Sequence, residues 1–167
     1  MTMKPHFLLL ALACMVLPAS GDAVIKGVIT KPSDLLVGVP REVMLGMLPG
    51  SSTMQDACGK ATVTVAANAQ DKLGSFKITV RGIDPFQLSH APEERRYRVH
   101  AVVDPMRVAG VNMQMEIMAV PDVADHAKVA KLVPGSRVTV TGKISHAEVL
   151  GRANAELHID LMNAKLK

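Results

Sequence analysis

Aromatic side chains are nearly absent. Three Phe, one Tyr and no Trp make up 2% of the 167 residues, so a surface that grips bases by stacking has little to build from. Cysteine is almost as scarce, at two residues, which leaves no disulfide framework to replace a core. Charge is modest at 20%, and Lys+Arg 19 against Asp+Glu 15 are interspersed without a block of one sign. An acidic or basic tail is thereby excluded. Gly 12 and Pro 10 have no period, which excludes collagen-like and linker chains. What is abundant is the apolar set, 49% of the chain, enough for one domain folded around a core of Val, Leu, Ala, Ile and Met.

The N-terminus is organised for export. Lys4 and His6 precede an apolar run over residues 7–17, and Pro18, Ala19, Ser20, Gly21, Asp22 and Ala23 then supply a helix breaker and small residues. This is the layout of a secretory signal peptide, residues 1–23, cleaved after Gly21 or, preferably, after Ala23. Eleven apolar residues are too few to span a hydrocarbon core, and no later run is longer, so no transmembrane segment is expected. The expected location is periplasmic or secreted. An alternative comes from Ala11, Leu12, Ala13 and Cys14, which resemble a lipobox and would give a lipid anchor at Cys14 and a membrane-surface lipoprotein. If Cys14 is discarded, Cys58 is left as a free, partly buried thiol.

From residue 60 onward the pattern has period two, the signature of half-buried strands. Over 75–82, Phe76, Ile78 and Val80 alternate with Lys77, Thr79 and Arg81. Over 96–103, Tyr97, Val99, Ala101 and Val103 alternate with Arg98 and His100. Residues 111–120 set Val111, Met113, Met115 and Ile117 against Asn112, Gln114 and Glu116. Residues 137–144 set Val138, Val140 and Ile144 against Arg137, Thr139, Thr141 and Lys143. Residues 155–161 set Leu157, Ile159 and Leu161 against Glu156, His158 and Asp160. Five such strands predict an all-β core. Loops are expected at 104–110 and 145–153. The stretch 121–133 reads instead as a short helix, with Asp122 as its cap, Asp125 in its first turn, Lys128 and Lys131 near its end, and Pro134 and Gly135 stopping it.

Three strands, a helix and two strands resemble the OB-fold, a five-stranded partly open barrel. The spacing of Leu132, Gly135, Val138, Val140, Gly142 and Ile144 is similar to the entry into the fourth strand of OB-fold proteins, including tRNA-anticodon-domain-like relatives. In length, export signal and strand order the chain also resembles small periplasmic OB-fold proteins of bacteria. The barrel is assigned to 70–167. Residues 24–69 are read as an N-terminal β extension, with strands at 24–29, 42–48 and 61–67 and a short helix at 41–48 as the alternative for the second.

No Gly-x-Ser-x-Gly elbow, phosphate-cradling loop or paired-carboxylate arrangement stands out, since Glu93 and Glu94 adjoin and point apart. The sequence therefore points to a non-enzymatic binding module without catalytic residues or cofactors. Its expected partner is a protein, a glycan or an envelope component, and the expected contact face is Arg98, His100, Arg137, Thr139 and Lys143, the outward side of the barrel strands. Two alternatives compete. Soft thioethers suit Cu(I), and Met113 and Met115 with His100 resemble the Met-x-Met and His elements of copper-carrying periplasmic barrels. The same alternation also places both Met residues among core positions. Binding of single-stranded nucleic acid is the function the fold first suggests, but Phe76 and Tyr97 fall on inward faces, which makes nucleic acid an unfavoured partner.

Overall fold

The computed structural model describes residues 27–88 and 91–167. The expected leader and Cys14 lie outside the described residues. Five long strands follow the chain from Leu73: β2 (Leu73–Leu88), β3 (Ala91–Val108), β4 (Val111–Pro121), β5 (Arg137–Gly151) and β6 (Ala155–Leu166). They pair in the order β2-β3-β4-β6-β5, and β5 returns to β2, so the sheet closes on itself. All neighbours are antiparallel except β4 and β6. This closed five-stranded order, with a short helix between the third and fourth barrel strands, is the OB-type barrel the sequence resembles.

The period-two residues fill its interior. Phe76, Ile78, Val80, Val99, Ala101, Val111, Met113, Met115, Ile117, Val140, Leu157, Ile159 and Leu161 are all buried. Each large aliphatic side chain among them contributes about 1.5–3 kcal/mol on leaving water. Methionine does in this interior what aromatics do elsewhere: Met113 faces Met106 and Met115 faces Val103 across the β3–β4 ladder, their flexible thioethers filling space around a single core ring, Phe76.

Several boundaries differ from the sequence reading. β3 runs on to Val108 and turns at Ala109 (φ 49°) and Gly110 (φ 90°), two positive φ values in succession, as a tight two-residue hairpin needs. The expected loop at 145–153 is mostly strand, because β5 continues to Gly151 and only 152–154 bend. The helix expected over 121–133 is shorter, a 3-10 turn Val123–Asp125 followed by α3 (His126–Val129). Its cap is as anticipated: the Asp122 carboxylate accepts the Ala124 N–H at 3.1 Å.

Residues 27–69 are not a β extension. Only β1 (Val28–Ile29) is strand, laid parallel against Leu73 and Gly74. The strand expected at 42–48 is α1 (Arg41–Gly46), and that expected at 61–67 is the second half of α2 (Met54–Ala69). The alternation of Ala61, Val63, Val65 and Ala67 is misleading. Met54, Ala57, Cys58, Ala61, Val65 and Ala69 are the buried positions, a helical stripe, while Val63 is 73% exposed.

The position of α2 explains why it is there. β5 pairs with β2 only as far as Lys143, so the far half of β5 would present a bare edge. α2 covers it. The Thr62 hydroxyl accepts the Val149 N–H at 2.9 Å, and the Gln55 amide donates to the Gly151 carbonyl. At the other end, Asn68 donates to the carbonyls of Leu35 and Val37 (2.9 and 2.8 Å), pinning the 3-10 turn Pro32–Leu36. Among the described residues, no helix is long and apolar enough to cross a membrane.

Candidate binding surface

The outward side chains form rows across the barrel. One row passes from Arg137 of β5 through Thr79 of β2, Val102 of β3, Glu116 of β4 and His158 of β6, and returns to β5 at Glu148. The return to a different residue of the same strand is the stagger that closing tilted strands requires. The five residues expected to form one contact face divide among three places along this wall.

Arg98 and His100 lie together on β3: Arg98 is where β2 and β3 run on past β4 as a two-stranded ribbon, and His100, paired with Met118 of β4, is at the base of that ribbon. His100 Nε2 is 3.0 Å from the Asp84 carboxylate. The Arg98 guanidinium sits over the Phe86 ring, 4.4 Å from its centroid, a cation–π contact between half-exposed groups. The other face of the ribbon repeats the arrangement: Arg95 lies 5.8 Å from the Tyr97 centroid, and Tyr97 meets His126 of α3 edge-on at 5.0 Å. Tyr97 is therefore a half-buried strut between ribbon and helix rather than a core residue. Arg96 pairs with Glu94 at 2.9 Å.

Arg137 and Thr139 belong to a second place, the β2–β5 seam, where they join Lys77, Thr79, Asp104 and Lys167 around a cavity of about 280 Å³. Lys143 stands apart. It lines a separate cleft of about 680 Å³ between the end of α2 and strands β5 and β6, with Gln70, Asp71, His146 and Met162.

A fourth group was not singled out from the sequence. On the outer face of β4, β6 and β5, Asp160 holds His158 at 2.8 Å, and Glu116 approaches the other ring nitrogen at 3.9 Å. The Asp160 hydrogen bond raises the His158 pKa, outweighing burial, with further help from the charges of Asp160, Glu148 and Glu116. Glu156 is buried beside them. Burial first, then hydrogen bonding to Glu116 and its negative charge, push its carboxyl up, and Arg152 at 3.1 Å opposes this in part. The signal was present in the period-two pattern, which put Glu116, Glu156, His158 and Asp160 on outward positions. Which strands become neighbours was not.

The copper residues do not converge. Met113 and Met115 are 1% exposed inside the barrel, and His100 is on its outer surface. Among the described residues, no three His, Cys, Asp or Glu side chains are grouped as a metal site would require. Cys58 is free and buried under β5, and burial raises its thiol pKa.

No family model matches the chain, and no curated protein sequence does. Among solved structures it is similar to the small single-stranded DNA-binding protein from Streptomyces coelicolor, at 14% identity over 57% of this chain and 91% of that one, with a TM-score of 0.32. What makes the chain an OB-type barrel is its own closed strand order, with α3 between β4 and β5.

Proposed function

We propose that this protein is an exported, non-enzymatic binding module that contacts its partner, a protein, glycan or envelope component, through the outer face of β3 and the β2–β3 ribbon. The observation that carries this reading is the ribbon itself. Past the end of β4 it holds Arg98 over Phe86, and at its base His100, still paired with Met118 of β4, stands beside Asp84, so charged and aromatic groups are gathered on a two-stranded element. Aromatic and arginine side chains are the residues that dominate protein interfaces. OB barrels use the face of their second and third strands and the adjoining loops.

A second reading, binding of single-stranded nucleic acid, gains from one feature: Phe86 and Tyr97, each beside an arginine, lie on that same ribbon rather than in the core. The two readings separate in one experiment. Envelope extract and a fluorescein-labelled oligothymidylate are each offered to the wild-type protein and to R98E/F86A. Specific capture of an envelope component that the variant loses supports the first reading. Saturable oligonucleotide binding, weakening steeply with salt and lost in the variant, supports the second. If the variant retains every interaction of the wild type, the ribbon is not the contact face. Intact mass of the protein recovered from its native envelope tests export, through cleavage after Ala23 or lipid on Cys14.

A further inference from the structure

The wall of the barrel has a gap. β2 pairs with β1 only at Leu73 and Gly74, and with β3 only from Thr79 onward, so residues 75–78 have no strand on that side. β3 turns away there through a bulge between Val103 and Met106. Val80 donates its N–H toward the β5 side, to Ser136 at 2.9 Å. Strand alternation then turns the N–H of Lys77 the other way, into the gap.

Two cavities meet at this gap and share Lys77 and Thr139. One, of about 390 Å³, is walled mainly by apolar surface: Pro32, Phe76, Val103 and Met106, with Lys31 at its edge. The other, of about 280 Å³, holds Lys77, Arg137 and Lys167 with the hydroxyls of Thr79 and Thr139. Lys167 is held in place by a pair of main-chain hydrogen bonds with Thr139 (2.9 and 3.0 Å). Lys31, Lys77, Arg137 and Lys167 make no side-chain ion pair with any described residue, and Asp104 is the one acidic side chain lining either cavity. What distinguishes Lys77, Arg137 and Lys167 is that they converge on one cavity.

The geometry points to a binding site for an anionic amphiphile, its phosphate or carboxylate head among Lys77, Arg137 and Lys167 and its apolar body in the compartment of Pro32, Val103 and Met106. Four cations without partners repel one another, and a bound anion removes that repulsion while the threonine hydroxyls and the Lys77 N–H supply hydrogen bonds. An apolar cleft with a few convergent polar groups is the usual form of a small-molecule site. This site shares no residue with the Arg98 and Phe86 ribbon proposed above and does not depend on it.

The test is isothermal titration with monomeric dodecyl phosphate, with inorganic phosphate and dodecanol as half-ligands, and sedimentation with phosphatidylcholine vesicles with and without phosphatidylglycerol. The expected result is one-to-one binding of dodecyl phosphate, with each half-ligand weaker by about tenfold or more. K77Q/R137Q, two exposed positions where folding is not at stake, weakens binding by about tenfold or more. Binding of the monomeric probe identifies a free amphiphile. Binding only to phosphatidylglycerol vesicles, lost in K77Q/R137Q, identifies a lipid headgroup as the source. No saturable binding to either, or binding that K77Q/R137Q leaves unchanged, overturns the site. Substitution at Arg98 and Phe86 leaves this titration unaltered, so failure of one site is distinguishable from failure of the other.

Discussion

Gly74 and Gly142 face each other across the β2–β5 ladder, both buried. A Cβ on Gly142 would stand 2.9 Å from the Met162 carbonyl oxygen and 3.1 Å from Ala164 Cα; one on Gly74 would stand 2.4 Å from the Phe76 ring. The seam that closes the barrel is thus a pair of glycines, one pressed against backbone and the other against a side chain. Gly142→Ala and Gly74→Ala are each expected to destabilise by about 1–3 kcal/mol, read as a lower midpoint in thermal denaturation. Phe76→Leu shortens the ring beside Gly74, so it lessens the added cost of Gly74→Ala and leaves that of Gly142→Ala in place. Equal rescue of both would contradict this geometry.

Asp125 ties the short helix to the end of β6. Its carboxylate accepts the Leu166 N–H at 2.8 Å and pairs with Lys128 at 2.7 Å, and these contacts, Lys128 first, hold its pKa below the ordinary value. A lowered pKa means stability that is present above the unfolded value, about 3.9, and is lost as pH falls through the folded one. Asp125→Ala leaves the buried Leu166 N–H without its acceptor, at an expected cost of about 1–3 kcal/mol. The loss should be seen at pH 7 and should vanish in the acid limb of a melting-temperature profile.

The carboxylate and histidine face of β4 and β6 carries the opposite pH sign. His158 is raised, so its contribution is full below about pH 6.5 and is lost as pH rises through its folded value. Glu156 is raised too, so the contribution of its neutral form is full below about pH 4.5 and is lost as pH rises. At pH 7 and above, Glu156→Gln is expected to raise the melting temperature, because a buried charge beside Glu116 is removed. His158→Gln is expected to lower it at pH 6 and to have little effect above pH 8. Parallel profiles for wild type and both variants across pH 4–9 would defeat the assignment.

The barrel methionines test packing against metal chemistry. Met113→Leu and Met115→Leu keep the volume and should cost less than about 1.5 kcal/mol, whereas either Met→Ala should cost about 2–5 kcal/mol. Elemental analysis and Cu(I) titration of the Leu variants complete the comparison. Stoichiometric copper that Met→Leu abolishes would show that the core opens to admit a metal.

Cys58 lies inside the α2–β5 contact with a raised pKa. Thiol titration with a disulfide reagent is expected to be slow in the native protein and immediate in denaturant. Rapid native labelling would mean that α2 leaves the edge of β5 under ordinary conditions.

Every barrel strand was legible in the sequence because a half-buried strand must alternate, and alternation is a local property. Phe76, Ile78, Val80, Met113, Met115, Leu157 and Ile159 are inside for that reason. The cap at Asp122 and the glycine at 142 were legible on the same local grounds. Other features depended on tertiary partners. Ala61, Val63, Val65 and Ala67 alternate as well as any strand, yet they are helical, because the open edge of β5 offers hydrogen bonds through Thr62 and burial for the stripe of Ala57, Cys58, Ala61 and Val65. The five outward residues expected to act together were separated because register, stagger and closure place residues in space, and none of these is written in one strand alone. Burial on one face fixes which side of a strand is polar. Only the closed sheet decides which polar residues become neighbours, and it puts Arg137 beside Lys77 and Lys167, with Arg98 on a separate ribbon.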